Sequence, residues 1–297
     1  MKKLWFILLV SFLGFSVVKT QAQDLAPYIK IGDLSANINS VSAQVKQALK
    51  GGGFEILGAY NPEENPNLMV IAFTRNDLKN TVVKVSDRGA LAAILKVGLV
   101  KKGKTVTVSY VNPMYIFNAY LRKETPKYLN TLKKIANDIK LTFASIGNDF
   151  TGFGGGIPAK KLWKYHYKIM MPYFSDPAEL KTFSSFNEGL NTMESNLKDK
   201  TLQLKQVYKL VFPDKKIAVF GIALLNKEEG EAYFLPKIGE ENIAAMPYEV
   251  ILQNNTLSML KGKYRLALSW PELSMGTFMK IMSTPGDIKD MLKRLSN

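Results

Sequence analysis

The single histidine, His166, and the complete lack of cysteine set narrow limits on the chemistry this chain can perform. Thiolate metal sites, cysteine nucleophiles, disulfides and cysteine-linked haem are all excluded. A zinc site would have to combine His166 with carboxylates alone, an unusual ligand set. As a general base His166 would need a nucleophile and an orienting acid, and no spacing in the sequence supplies them. It stands in Trp163-Lys164-Tyr165-His166-Tyr167-Lys168. That alternation predicts a strand with His166 toward solvent, opposite Tyr165 and Tyr167. We expect no metal, no cofactor and no catalytic residue, and the balance is against an enzyme.

The acid pairs Glu63-Glu64, Glu228-Glu229 and Glu240-Glu241 lie among Gly, Pro, Asn and Lys residues that predict loops. Adjacent carboxylates point apart on an extended backbone, so a shared-proton dyad does not follow. A hydrolase uniting distant Asp and Glu across the fold is the alternative. No serine-hydrolase elbow, zinc-protease, EF-hand or nucleotide motif is present. Met275, Met279, Met282 and Met291 read as adaptable packing, with a copper site as the alternative. Asn254-Asn255-Thr256 is a glycosylation sequon.

One aromatic segment suits ligand binding. In Tyr110-Val111-Asn112-Pro113-Met114-Tyr115 the Asn-Pro ends a strand, and tyrosine tips suit a cleft where apolar walls meet water. Trp270-Pro271 is expected at the same architectural position later in the chain. Tyr110, Asn112, Tyr115 and Trp270 are therefore the candidate ligand-binding residues, bordering a groove between two halves. The alternative is that both turns simply pin strand to helix.

The elements that must position these residues fall into two similar series. Residues 24–147 predict a strand at Tyr28–Ile31, a helix capped by Ser40 and stopped by Gly51-Gly52-Gly53, and strands at Phe54–Tyr60 and Met69–Phe73. A helical turn at Asn76–Val85 and strands at Leu91–Val100 and Thr105–Tyr110 follow, and Thr125-Pro126 opens a last helix. Residues 148–162, with Gly152, Gly154, Gly155 and Gly156, read as a linker. Residues 163–297 predict a strand at Tyr165–Phe174 and a helix opened by Asp176-Pro177-Ala178-Glu179. Strands at Leu202–Phe212, Ile217–Leu225, Tyr248–Gln253 and Tyr264–Trp270 come next, then a helix from Thr284-Pro285. Gly103-Lys104 and Gly262-Lys263 stand at the same offset as Thr125-Pro126 and Thr284-Pro285, as an internal repeat requires. The offset leaves Val106 and Val108 one residue out of phase with Leu266 and Leu268, which a bulge would absorb.

The expected architecture is α+β: two tandem strand–helix–four strands–helix units, each an antiparallel sheet with helices on one face, related by a pseudo-twofold axis. Over about Val41 to Leu121, the first unit resembles the domain of unknown function family 302. The resemblance rests on the helix, on Gly53-Phe54-Glu55-Ile56-Leu57, and on Val106 to Tyr120, whose Tyr110–Tyr115 segment is similar to the family's closing strand and Tyr-x-x-Pro turn. It implies a fold like the TATA-binding-protein repeat, and no mechanism. Thr74-Arg75-Asn76-Asp77 departs from the family's Asn-Pro. The second unit, with Ser269-Trp270-Pro271-Glu272 in place of Tyr-x-x-Pro, looks like a diverged copy.

Residues 1–23 carry the plan of a secretory signal peptide: Lys2 and Lys3, the apolar run Leu4–Val18, and small residues ending at Ala22. The run is too short to span a bilayer. Cleavage after Ala22 or Gln23 would deliver the chain to the periplasm or the exterior, with no integral membrane segment left. The formal charge of +15 stays strongly positive after loss of Lys2, Lys3 and Lys19. Its carriers are mostly dispersed lysines, with arginine only at positions 75, 88, 122, 265 and 294, which argues against nucleic acid. The expected role is a non-catalytic binding module for a small amphipathic ligand or an anionic envelope component, with an envelope scaffold as the main alternative.

Overall fold

The computed structural model describes residues 24–297, so the expected leader lies outside the described residues. The first half contains β1 (Asp24–Leu25), β2 (Tyr28–Leu34), α1 (Ile38–Gly51), β3 (Glu55–Tyr60), β4 (Leu68–Thr74) and α2 (Asn76–Val82). It continues with β5 (Leu95–Lys102), β6 (Thr105–Val111), α3 (Pro113–Leu121), α4 (Leu129–Phe143), β7 (Thr151–Phe153), β8 (Ile157–Pro158) and α5 (Ala159–Leu162). The second half contains β9 (Ala178–Thr182), α6 (Phe186–Asn196), β10 (Leu204–Phe212), β11 (Ile217–Leu224) and α7 (Glu231–Ile238). After them come β12 (Tyr248–Gln253), β13 (Thr256–Met259), α8 (Gly262–Ser269), α9 (Met275–Met279) and α10 (Thr284–Lys293). Among the described residues no helix is long and apolar enough to cross a membrane.

The fold is α+β, with antiparallel sheets. The first has the order β3-β4-β5-β6-β2-β7 and the second β10-β11-β12-β13-β9, so five strands repeat in the same order. The match extends to irregularities. Leu57 in β3 and Val207 in β10 bulge at the same rung, and so do Ile31 in β2 and Leu180 in β9. This register aligns Thr107-Val108-Ser109 with Thr256-Leu257-Ser258, and Lys96 with Glu249. Lys96 and Glu249 are ion-paired to each other. Equivalent residues that touch require a twofold relation, not a translation.

Strand alternation explains the layers. In β4, Ile71 and Phe73 face α1 and α4, whose buried stripes are Val41, Val45, Leu49 and Leu132, Ile135, Ile139. Leu68 and Val70 face the other way, into a core shared with the second half. There the turn Glu240–Ala245 lies on β4, β5 and β6, while the turn Gly89–Ala93 reaches β11 in return. Each half thus covers the back of the other's sheet. Glycine permits the close approach: a Cβ at Gly98 would stand 2.6 Å from Ile243 Cγ2, and one at Gly58 would overlap the Val207 carbonyl oxygen. Gly58→Ala is expected to lower stability by roughly 1–3 kcal/mol, the usual cost of overpacking. Denaturant unfolding checks this, and an unchanged midpoint would mean that the β3–β10 contact is slack.

Five sequence expectations need correction. Tyr165–Phe174 is irregular, and the first strand of the second half is β9. Pro177 precedes this edge strand, where a missing N–H is tolerated, and does not open a helix. The helix begins at Phe186, with the Ser185 Oγ accepting from the Glu188 N–H and the Glu188 carboxylate accepting from the Ser184 N–H. Tyr264–Trp270 is not a strand: Tyr264–Ser269 falls in α8, Trp270 caps its end, and β13 precedes it. The shared offset of Gly103 and Gly262 is consequently accidental, since Gly103 turns the β5–β6 hairpin and Gly262 opens a helix. The segment 148–162 is no free spacer, because β7 pairs with β2 and β8 with β1.

Candidate functional site

The candidate turn residues are held inside the fold. Asn112 caps α3: its Oδ1 accepts from the Met114 N–H at 3.1 Å and its Nδ2 donates to the Ala26 carbonyl at 2.8 Å. The Tyr110 ring packs on Phe143 with centroids 5.1 Å apart. Tyr115 is sealed from solvent, and its hydroxyl donates to the Leu268 carbonyl at 2.8 Å. Tyr28 and Tyr165 donate likewise to Ser269 and Ala267, each at 2.8 Å. Three tyrosines from elsewhere in the chain therefore satisfy the last three carbonyls of α8, which a helix end leaves without partners. Burial pushes the Tyr115 hydroxyl well above its ordinary value, and Tyr165 up to about 12. The two turns do not face each other as a matched pair. In the repeat register Asn112-Pro113 matches Lys261-Gly262, so Trp270 matches the end of α3 instead.

At the pseudo-twofold axis the halves enclose charge. Lys96 and Glu249 pair there, and the Tyr208 hydroxyl donates to Glu249 Oε1 at 2.9 Å. Arg265 donates to the carbonyls of Ala245 and Pro247, and its guanidinium stacks 4.0 Å above the Tyr248 ring. Burial, then the Arg265 charge, pushes the Lys96 ammonium down, while Glu249 pulls it back up. The cavity at this cluster is about 20 Å³, room for roughly one water. It is too small for a ligand.

A larger opening lies beside Trp270. The stretch 163–174 is pinned at both ends. Trp163 Nε1 donates to Asn118 Oδ1 at 2.7 Å, and Tyr165 reaches α8. Phe174 is buried against the guanidiniums of Arg88 and Arg122, 4.8 and 5.0 Å from its ring centroid. The residues between these anchors form an arch over α8. Beneath it is an apolar groove of about 230 Å³. Its walls are Ile169 and Met171 from the arch, Leu266 from α8, Trp270 at the end of that helix, and Met275 and Phe278 from α9. Lys168 and Lys263 supply its charged groups. The Trp270 indole is fixed by a hydrogen bond from Nε1 to the Gly239 carbonyl at 3.1 Å. Trp270 alone of the four candidates lines this groove, and residue type was the signal that singled it out. Met275 reads from sequence only as packing or a copper ligand, and the arch residues Ile169 and Met171 carry no signal, standing far along the chain from Trp270.

Other chemistry-bearing residues stay dispersed. His166 donates from Nδ1 to the Lys168 carbonyl at 2.8 Å and packs on Tyr173, with no bond to a carboxylate among the described residues. Among the described residues no group of three His, Cys, Asp or Glu side chains is placed to hold a metal. Met275, Met279 and Met282 are exposed, whereas Met291 is buried. Sequence reading missed Glu231, which is fully buried: Tyr60 Oη and the backbone N–H groups of Leu224 and Glu63 all donate to it.

Among solved structures, this chain is similar to the crystal structure of an uncharacterized conserved protein, DUF302, from Bacillus stearothermophilus. The likeness covers 40% of this chain and 94% of that one, at 16% identity and a TM-score of 0.31. No family model and no curated protein matches the chain. The α+β fold class therefore rests on the strands and helices themselves.

Proposed function

We propose that this is an exported, non-catalytic binding protein that takes a small amphipathic molecule into the groove beneath the arch. The observation that carries the reading is the groove's chemistry: apolar walls around Trp270, with Lys168 and Lys263 as its cations. Apolar walls with a few placed polar groups are the usual composition of small-molecule sites. The volume is below the roughly 300–1,000 Å³ common for drug-sized ligands. A single acyl or prenyl chain, or one ring system, suits it better. A carboxylate or phosphate head on that chain would complement the lysines. The leader supports export, and the Gly53–Leu57 and Tyr110–Tyr115 motifs support assigning the first half to the 302 family.

Lauric acid is a suitable probe, since Trp270 reports directly through its fluorescence. Saturable quenching is expected in the protein as exported. Met275→Asp, at a position 52% exposed, is expected to weaken binding at least tenfold without changing the unfolding midpoint. Mass spectrometry of molecules extracted from the purified protein should find anionic amphiphiles. Absence of saturable binding, together with an empty extract, would overturn the reading.

A further inference from the structure

The crown of the arch carries Ile169, 87% exposed, and Met170, 97% exposed. Met275 and Met279 stand one turn apart on α9, 52% and 57% exposed, with Met282 just beyond at 59%. Ile169 and Met275 also line the groove. Ile169, Met170 and Met275 thus put large, flexible apolar groups around the groove and the hollow beside it, the kind of surface that a partner covers.

Charge decides between partners. Met170 and Met171 border an open hollow flanked by Lys261, Lys263 and Lys289. Lys168 adds a fourth cation from the arch. The acids at the hollow are Asp176, engaged by the Tyr173 N–H at 3.0 Å, and Glu179. A second copy docking here across a twofold would set this lysine-rich rim against itself. Anionic headgroups would complement it, with apolar side chains below the headgroup plane and lysines at its level.

We propose that this face docks on an anionic lipid bilayer, with Ile169 and Met170 entering the interfacial layer and Lys168, Lys261, Lys263 and Lys289 meeting headgroup phosphates. The proposal builds on the groove reading, since docking would turn the groove toward the layer that holds amphiphiles. Its own evidence is the exposed crown and the lysine rim.

Flotation of the protein as exported, with vesicles of equal parts phosphatidylglycerol and phosphatidylcholine and with vesicles of phosphatidylcholine alone, tests it. Binding is expected at least tenfold tighter to the anionic vesicles and to weaken with added salt. Met170→Asp should reduce it at least tenfold while Met170→Leu retains it, and both should keep the wild-type unfolding midpoint and lauric acid binding. Equal affinity for both vesicles, or full binding by Met170→Asp, overturns the proposal. Self-association that Met170→Asp abolishes, without vesicle binding, also overturns it and assigns the face to a second copy. Vesicle binding without lauric acid binding upholds docking and sinks the groove reading alone.

Discussion

Glu249→Leu is expected to destabilise the protein by roughly 3–5 kcal/mol, the scale for removing one partner of a buried ion pair. Lys96 is only 8% exposed and Glu249 5%, so neither charge can recover its hydration when its partner goes. Lys96→Met should cost less, because Glu249 would still accept from Tyr208. The informative variant carries Lys96→Met and Glu249→Leu together. With both charges gone the desolvation penalty goes too, and such replacements are often neutral or stabilising. Here Tyr208 would be left without its acceptor, costing about 1–3 kcal/mol. The double variant should therefore recover most of the single loss, but not all. A double-mutant cycle by denaturant unfolding measures this. Additive losses would mean that the two residues do not share an environment, and the twofold contact between the halves would lose its clearest support.

The same pair shows what the sequence could disclose and what it could not. Where one face of an element is buried and the other wet, the pattern was readable: α1, β3, β4, β6 and α4 lie close to their expected places. The helix α3 was missed because nearly all of Pro113–Leu121 is buried; a helix without a polar face carries no 3.6-residue period. In α8 the apolar residues Tyr264, Leu266 and Leu268 alternate with Arg265, Ala267 and Ser269, and that two-residue period imitated a strand. The alternation of Tyr165, His166 and Tyr167 imitated a strand for a different cause. Tyr165 is held by a distant carbonyl on α8, and Phe174 by two arginines from the first half. Tertiary anchors, not strand pairing, put aromatics there. Of the candidate site, only Trp270 was legible. The arch and α9 stand far apart in the chain and meet only through tertiary packing, which no local spacing records. The repeat itself was inferred from the matching order of elements, with a shared offset of Gly-Lys and Thr-Pro pairs as support. Its physical trace is weaker in letters and stronger in geometry: Thr107-x-Ser109 against Thr256-x-Ser258, and two bulges at matching rungs.

Unfolding free energy is expected to fall by roughly 3 kcal/mol as pH rises from about 4.5 to 7, because of Glu231 alone. Burial pushes its carboxyl from the ordinary 4.5 up to about 7, against the pull of its three hydrogen-bond donors. Between those values the folded state keeps a proton that the unfolded state has released. The unfolded state thus binds fewer protons, and stability declines with rising pH across that window. Glu63, pushed up to about 7 by burial and then by Glu240, acts with the same sign, but partial exposure weakens its contribution. Asp33 and Asp138, held below their ordinary 3.8 by Lys30 and Lys134, act at lower pH and do not overlap. Glu231→Gln separates the cause from the background. Its amide must turn an N–H toward the Glu63 N–H, so the variant loses one bond and some stability at pH 4.5. Its stability should then stay nearly level to pH 7, while the unsubstituted protein descends to meet it. Denaturant unfolding at intervals across that range decides the matter, and parallel slopes in the two proteins would show that Glu231 is ionised throughout.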